Sequence, residues 1–356
     1  MNDNHEFFMR RCIELAASGL GNTSPNPMVG SVLVRNGKIV GEGYHRIYGQ
    51  AHAEVNAIQS VVDSELLKNS TLYVNLEPCS HFGKTPPCAE LIASLHIPRI
   101  VIGTPDPNPL VLGKGIEILK KAGCEVISGI LPMECEELNK RFFTYHRQER
   151  PYIILKWAET ADHFIDKLRT ENDKPEWITN QACRILVHKW RSEEQAVMIA
   201  TNTAIMDNPQ LNVREWIGKN PVRIVLDDHL RLPHSLNIFD GTIKTIVYTY
   251  QEKGFEIPNV EYVKINPDLD KINFIFNHLY CNKILSIIVE GGAKFADFLI
   301  ERNLWDEARI FYGKSLFHNG IKAPKLNLLP ISENEIEGIA LKYFKNNSQT
   351  QSLGLL

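Results

Sequence analysis

His52-Ala-Glu54, Glu77-Pro-Cys79 and Cys88 restrict what this chain can become more than any other feature. One imidazole and two thiolates are three of the four ligands that zinc takes, and one ion holds them only if three stretches of chain converge. His52-Ala-Glu54 opens residues 52–62, which read as a helix. Glu77-Pro-Cys79 follows Thr71–Leu76, which reads as a buried strand, and Cys88 stands at the start of a predicted helix near 87–95. Three protein ligands leave one position for water, whose pKa zinc lowers towards neutrality. Glu54 does not share a face with His52 on an ideal helix, which separates their roles: His52 on the metal, Glu54 as proton shuttle.

The remaining chain supplies the layers such a site needs. Helical spacing predicts a helix over 4–18, and Asn36-Gly37 joins strands Val29–Val34 and Lys38–Gly43 as a hairpin. A strand at Arg99–Gly103, a helix at Gly113–Ala122, a short strand at Glu125–Ile127 and a helix at Glu134–Tyr145 follow. The pattern is a layered α/β sheet. With 356 residues, the chain is long enough for two domains. Arg150-Pro151 breaks the last helix, and a second α/β run begins with a strand at Tyr152–Trp157. It continues with helices at Thr179–Arg191, Leu269–Tyr280 and Ala293–Arg302, and with strands at Ala196–Ala200, Val222–Leu226, Thr245–Tyr248, Leu285–Val289 and Ala308–Tyr312. The predicted domains are 1–147 and 151–356.

A net charge of -3, near neutral in both halves, gives no field for holding a nucleic acid. The N-terminus has no apolar core of a signal peptide, and no run of about 18 apolar residues suggests a membrane span. A cytoplasmic chain with reduced cysteines is expected. Cysteines and histidines scattered through a chain are more often buried packing residues than ligands. Cys12, Cys124, Cys135, Cys183 and Cys281 read that way, because they lack partners of the right kind nearby in sequence.

The generic nucleobase-deaminase signature is H-x-E followed by P-C-x-x-C. Here eight residues separate Cys79 from Cys88. The full set of motifs is Thr23-Ser-Pro-Asn-Pro-Met-Val-Gly30, Gly41-Glu-Gly-Tyr-His45, His52-Ala-Glu-Val-Asn-Ala57, Glu77-Pro-Cys-Ser-His-Phe-Gly-Lys-Thr-Pro-Pro-Cys88 and Asp106-Pro-Asn-Pro109. Together they resemble the bifunctional deaminase/reductase family of riboflavin biosynthesis over nearly the whole chain. The resemblance implies a cytidine-deaminase-like α/β/α domain followed by a dihydrofolate-reductase-like α/β domain. It implies a phosphoribosylamino-pyrimidine substrate, zinc on His52, Cys79 and Cys88, and Glu54 as the shuttle. Asn26, held between two prolines, is placed to pair with the ring edge. His81 and Lys84 are candidates for the ribose phosphate, although Lys84 also reads as a solvated loop charge.

In the second half, Glu290-Gly291-Gly292-Ala293 follows a strand and opens a helix, where free N–H groups favour an anion. Thr203–Arg214 reads as a polar loop, with Arg214 a phosphate fork and Asp207 a cofactor partner. Thr179 reads as a helix N-cap, and Trp177 as a stacking or core residue. The same resemblance implies NADPH against Ala158, Trp177, Thr203, Asp207, Gly291, Gly292, Ala293 and Lys294, and substrate against Arg191, Leu211, Arg214 and Glu290. Three positions depart from the family pattern: His163 and Ala200 stand where glycine is usual, and Pro175 where a substrate-contacting serine is. They leave a second reading open, an active deaminase carrying a non-catalytic binding or dimerisation domain. Small phosphorylated pyrimidines are the expected partners, without nucleic acid or membrane, and a homo-oligomer is compatible with the sequence.

Overall fold

The computed structural model describes residues 4–80, 87–170, 173, 175–252 and 256–346. The chain divides into two compact units, Met1–Glu149 and Arg150–Leu356.

The first unit holds a five-stranded sheet of order β2-β1-β3-β4-β5. Its strands are β1 (Gly30–Arg35), β2 (Lys38–Tyr44), β3 (Thr71–Leu76), β4 (Arg99–Thr104) and β5 (Glu125–Ser128). The β1–β2 hairpin turns at Asn36 and Gly37, both at positive φ, which is what an Asn-Gly turn supplies. β1 pairs antiparallel with β3, and β3, β4 and β5 run parallel. Alternation along the strands builds a core on each face. Leu72, Val74, Ile100 and Ile102 face one way, onto Ala57, Ala89, Ile92 and Leu119. Those partners come from α2 (Ala53–Gln59), α3 (Cys88–Ser94) and α4 (Lys114–Lys121). Tyr73 and Val101 face the other way, onto α1 (His5–Ala17) and α5 (Pro132–Leu138) through Met9, Cys12 and Cys135. The unit is a three-layer α/β/α sandwich.

Two helices differ from the sequence expectation. The 52–62 helix stops at Gln59, and a 3-10 turn covers Ser64–Asn69. The predicted Glu134–Tyr145 helix is two helices, α5 and α6 (Lys140–Gln148), parted at Asn139. The Asn139 side chain both accepts from Met28 N (2.8 Å) and donates to Met28 O (2.9 Å), satisfying a buried peptide that no strand pairs.

The second unit has a nine-stranded sheet of order β11-β10-β9-β8-β12-β6-β13-β16-β15, and a two-stranded ribbon of β7 and β14. The strands are β6 (Tyr152–Glu159), β7 (Phe164–Asp166), β8 (Ala196–Ala200), β9 (Val222–Leu226), β10 (Thr245–Thr249), β11 (Val260–Lys264), β12 (Ser286–Glu290), β13 (Glu307–Tyr312), β14 (Ile321–Lys322), β15 (Ser332–Ile336) and β16 (Ile339–Lys345). From β11 to β13 all neighbours are parallel, and β16 and β15 close the sheet antiparallel. β15 lies at the edge, and its residues Ser332, Glu333, Asn334 and Glu335 are exposed. One face packs Ile153, Leu155, Met198 and Ile287 under α9 (Lys271–Cys281) and α10 (Ala293–Glu301). The opposite face packs Ile154, Val197, Ile199 and Ile288 under α7 (Gln181–Glu193) and α8 (Thr201–Asp207).

Helix α8 corrects the reading of Thr203–Arg214 as a loop: only its part beyond Asp207 is irregular. The N-cap of α7 is Asn180, not Thr179, and its side chain accepts from Cys183 N at 2.9 Å. Among the described residues no helix is long and apolar enough to cross a membrane.

Candidate active sites

The metal cluster of the first unit forms where two helices start beside a strand end. His52 is the residue before α2, in extended conformation, and so turns away from the helix it caps. Cys79 follows β3, and Cys88 is the first residue of α3. Their ligand atoms lie within 4.8 Å of one another. His52 Nδ1 is 3.5 Å from Cys79 Sγ and 3.3 Å from Cys88 Sγ. Cys88 N donates to Cys79 Sγ (3.3 Å), and Ala89 N to Cys79 O (3.1 Å), so the start of α3 folds back onto the strand end. Bonds from the Cys88 thiol and His52 hold the Cys79 thiol well below its ordinary range, despite its burial. An ionised thiolate beside a second thiol and one imidazole nitrogen is a donor set that fits zinc.

Glu54 is in the first turn of α2, 3% exposed, and burial pushes its carboxyl up to about 7, with the Cys79 thiolate adding to the shift. Asn26 and His45 form a pair that the sequence reading did not single out. His45 Nδ1 meets the Ala51 carbonyl at 3.0 Å, so that nitrogen carries the proton. Its Nε2 then accepts from Asn26 Nδ2 at 3.2 Å, which fixes which end of the amide faces away. Burial also holds the His45 pKa down, in keeping with a neutral ring. The His45 and His52 rings stand edge to face, 5.4 Å apart. His81 and Lys84 lie outside the described residues.

Glu77 is the second residue missed. Buried behind Cys79, it accepts four backbone N–H groups: Gly113 (3.0 Å) and Asp106 (3.3 Å) at Oε2, Gly115 (3.0 Å) and Ile116 (3.2 Å) at Oε1. This locks the Asp106–Pro109 loop and the start of α4 to the zinc strand. A Cβ at Gly115 would come within 2.1 Å of Pro78 O, so only glycine permits that approach.

In the second unit, a cavity of about 1310 Å³ opens at the carboxyl ends of the parallel strands, where open α/β sheets bind ligands. It brings together Ala158, Trp177, Thr203, Asp207, Gly291, Gly292, Ala293 and Lys294 with Arg191, Leu211, Arg214 and Glu290. Arg191 forks Glu290 through Nε (2.6 Å) and Nη2 (2.8 Å). Burial opposes ionisation of Glu290, but Arg191 outweighs it and holds the carboxyl down to about 2. Lys156 Nζ stands 3.8 Å from the same carboxylate, and burial lowers its pKa. Nothing in the sequence of β6 marked Lys156, because its partner comes from a distant strand. His188 Nδ1 accepts from Arg214 N at 3.3 Å, so His188 positions that loop as a neutral ring, and burial lowers its pKa.

Asp207 is ion-paired to Arg169, which also donates to Met206 O (2.8 Å) and Asp166 (2.8 Å). Trp177 is 63% exposed, with Arg184 over its ring at 5.4 Å. Gly291 and Gly292 both have positive φ, and a Cβ on Gly291 would strike Thr203 at 2.6 Å. Of the three departures, His163 has a left-handed φ of 63°, which explains a glycine preference there; here its ring pairs with Glu159 at 2.7 Å. Pro175 and Ala200 line the cavity.

These two sites define a class: a zinc-dependent, cytidine-deaminase-like domain followed by a reductase domain of dihydrofolate-reductase-like fold. Residues 2–104 match the cytidine and deoxycytidylate deaminase zinc-binding region, and residues 151–317 match the RibD C-terminal domain. The chain belongs to the RibD family, the bifunctional deaminase/reductases of riboflavin biosynthesis. It is 40% identical to riboflavin biosynthesis protein RibD of Bacillus amyloliquefaciens over 90% of this chain and 87% of that protein. It is 39% identical to RibD of Aquifex aeolicus over 92% of each chain. The crystal structure of a diaminohydroxyphosphoribosylaminopyrimidine deaminase/5-amino-6-(5-phosphoribosylamino)uracil reductase from Thermotoga maritima aligns with a TM-score of 0.86 at 36% identity, covering 96% of this chain and 98% of that one.

Proposed function

We propose that the first unit deaminates 2,5-diamino-6-(5-phosphoribosylamino)pyrimidin-4-one, and that the second reduces the resulting 5-amino-6-(5-phosphoribosylamino)uracil with NADPH. The observation that carries the first step is the convergence of His52, Cys79 and Cys88 beside a buried Glu54. Zinc bound by these three side chains is the Lewis acid that brings the acidity of water towards neutrality. Glu54 takes the proton from the attacking water and returns it to the departing amine. Its carboxyl is buried in the first turn of α2, two residues from His52, where a proton can be passed out of reach of bulk water. Asn26 donates to His45 through its nitrogen, which leaves Oδ1 to accept from the pyrimidine edge. His81 and Lys84 are assigned to the ribose phosphate.

For the second step, NADPH supplies the hydride when bound. Gly291, Gly292 and the start of α10 present backbone N–H groups to its diphosphate, with Lys294 alongside, and Ala158, Trp177, Thr203 and Asp207 complete the cofactor wall. Glu290 and Arg191 form a fixed polar wall for the substrate, which Lys156, Leu211 and Arg214 extend. His163 closes its turn onto Glu159 and Thr160, and Ala200 lines the cavity, so neither departure removes the site on which the reductase reading rests. We place the enzyme in the cytoplasm, acting on small phosphorylated pyrimidines. The test supplies the diamino-pyrimidine with and without NADPH and follows ammonia and NADPH absorbance. Ammonia alone in the first case, and ammonia with NADPH consumption in the second, is expected. Ammonia release without NADPH consumption sinks the reductase assignment.

A further inference from the structure

Residues 208–214, between α8 and β9, form neither helix nor strand, so their backbone groups need partners from elsewhere. Side chains supply them. Asn237 Nδ2 donates to Asn208 O (2.7 Å), Arg223 Nε to Gln210 O (2.8 Å) and Arg191 Nη1 to Asn212 O (3.2 Å). Val213 N donates to Asn220 Oδ1 (2.7 Å), and Arg214 N to His188 Nδ1 (3.3 Å). This stretch carries Leu211 and Arg214 to the cavity. Asn208 and Leu211 stand at left-handed φ values of 39° and 51°. Asparagine tolerates that region. A leucine, with a Cβ and no polar group to bond locally, stays there only where its neighbours enforce it.

Arg223, the second residue of β9, is the neighbour with the firmest footing, because it is fully buried. Val225, two residues on and on the same face of the strand, is an aliphatic core residue. An arginine in such a row costs desolvation that a valine does not, so its bonds must account for it. Asp240 accepts from Nη1 (2.7 Å) and Nη2 (3.2 Å), and Ile238 O from Nη1 (3.4 Å). The guanidinium plane is thereby fixed, with Nε aimed at Gln210 O, the carbonyl directly before Leu211. That peptide is held by a charged donor in a place without water, where such a bond is strong. The Leu211 side chain, 2% exposed, joins the same core as Ile238 and Phe239, in the turn that Arg223 grips. Arg223 is not among the described residues that line the cavity, so its effect on a ligand passes through the loop.

We propose that Arg223 is a positioning residue of the second reaction: it holds the Gln210–Leu211 peptide, and so sets where Leu211 and Arg214 meet the phosphorylated pyrimidine. The inference rests on the assignment of those two residues to the substrate. The test follows NADPH oxidation by the full-length protein with 5-amino-6-(5-phosphoribosylamino)uracil. Arg223→Met fills much of the same space without the donor; it should raise the KM for the pyrimidine about tenfold and keep kcat within about threefold. The Kd for NADPH, read by quenching of tryptophan fluorescence, should stay within about twofold. A residue that only stabilised the fold would move the unfolding midpoint and leave all three in place. In an Arg214→Ala background, Arg223→Met should raise KM by less than about twofold more, since the loop has little left to place. Arg223→Lys keeps a charged donor but loses the fork, and should raise KM about threefold; it decides the matter if the methionine variant does not fold. A folded Arg223→Met protein, or in its absence a folded Arg223→Lys protein, with the wild-type KM overturns the inference and leaves the reductase reading standing. So do effects of Arg214→Ala and Arg223→Met that multiply, and so does the failure of both Arg223 variants to fold, which would make Arg223 a residue of the fold alone. Wild type that oxidises no NADPH, or Arg214→Ala with the wild-type KM, overturns the reading beneath it.

Discussion

Replacing Glu77 with Gln probes how the zinc strand is tied to its surroundings. Each Glu77 oxygen accepts two backbone N–H groups, at 3.0–3.3 Å, in a place that solvent does not reach. Glutamine has the same shape but only one acceptor oxygen, so its amide NH₂ must face two N–H donors. Hydrogen bonds to a charged group contribute about 1.5–3 kcal/mol each, so losing two removes roughly 3–6 kcal/mol. That is a large share of the ~5–15 kcal/mol that stabilises a typical domain. The two units can be followed separately, because all five tryptophans (Trp157, Trp177, Trp190, Trp216 and Trp305) lie in the second. Urea unfolding of Glu77→Gln, followed by far-UV circular dichroism, should show an early transition far below that of wild type. The tryptophan-fluorescence transition should stay in place. A circular-dichroism curve within about 1 kcal/mol of wild type would refute the reasoning, since two facing donors cannot be accommodated at so small a cost.

Four further outcomes follow from the sites. Cys88→Ala removes one of three ligands, so zinc measured by mass spectrometry should fall well below one per chain; full occupancy would show the ligand set to be wrong. Glu54→Gln should keep its zinc yet release ammonia at least about a hundredfold more slowly, the usual loss with a general acid–base, and unchanged turnover would rule the shuttle out. Glu290 is held at about 2 against an ordinary value near 4.3, so its ion pair stabilises the second unit above that value and is lost as pH falls from about 4.5 towards 2, a change of roughly 3 kcal/mol. Acid unfolding followed by tryptophan fluorescence should therefore be shallower in Glu290→Gln than in wild type, and identical slopes would contradict the assignment. Gly291→Ala puts a Cβ 2.6 Å from Thr203 at a φ of 108°, and NADPH affinity measured by titration should drop about tenfold or more; unaltered affinity would detach that turn from the cofactor.

What the sequence made legible was local. The Asn36-Gly37 turn, the strands of strict alternation and the zinc ligands each announce themselves within a dozen residues. Helix α8 did not, because its seven residues bury only Thr201 and Ala204 and so show no apolar stripe. The break at Asn139 lacks proline or glycine, and its cause is a peptide at Met28 that only the folded chain brings near. The same limit governed the sites. Lys156 reads as one more residue of a β-run until Glu290 is paired beside it, and Glu77 reads as part of a motif until four amides of another loop point at it. His45 was visible as a motif letter, yet its task depends on the carbonyl of Ala51 that selects its tautomer. Residues whose role is to hold a neighbour carry no signal of their own.

The last strand of the large sheet has a consequence for how the protein keeps its own company. Among the described residues β15 pairs with β16 on one side only, so its outer amides and carbonyls are a template on which another chain's strand could build. Its sequence, Ser332-Glu-Asn-Glu-Ile336, puts Glu333 and Glu335 on that border. A neighbouring molecule joining there would have to bring its own strand against carboxylates that water now solvates. Among the described residues that border is closed by charge rather than by a covering helix, so the last strand is kept solitary by its own side chains and not by a neighbour.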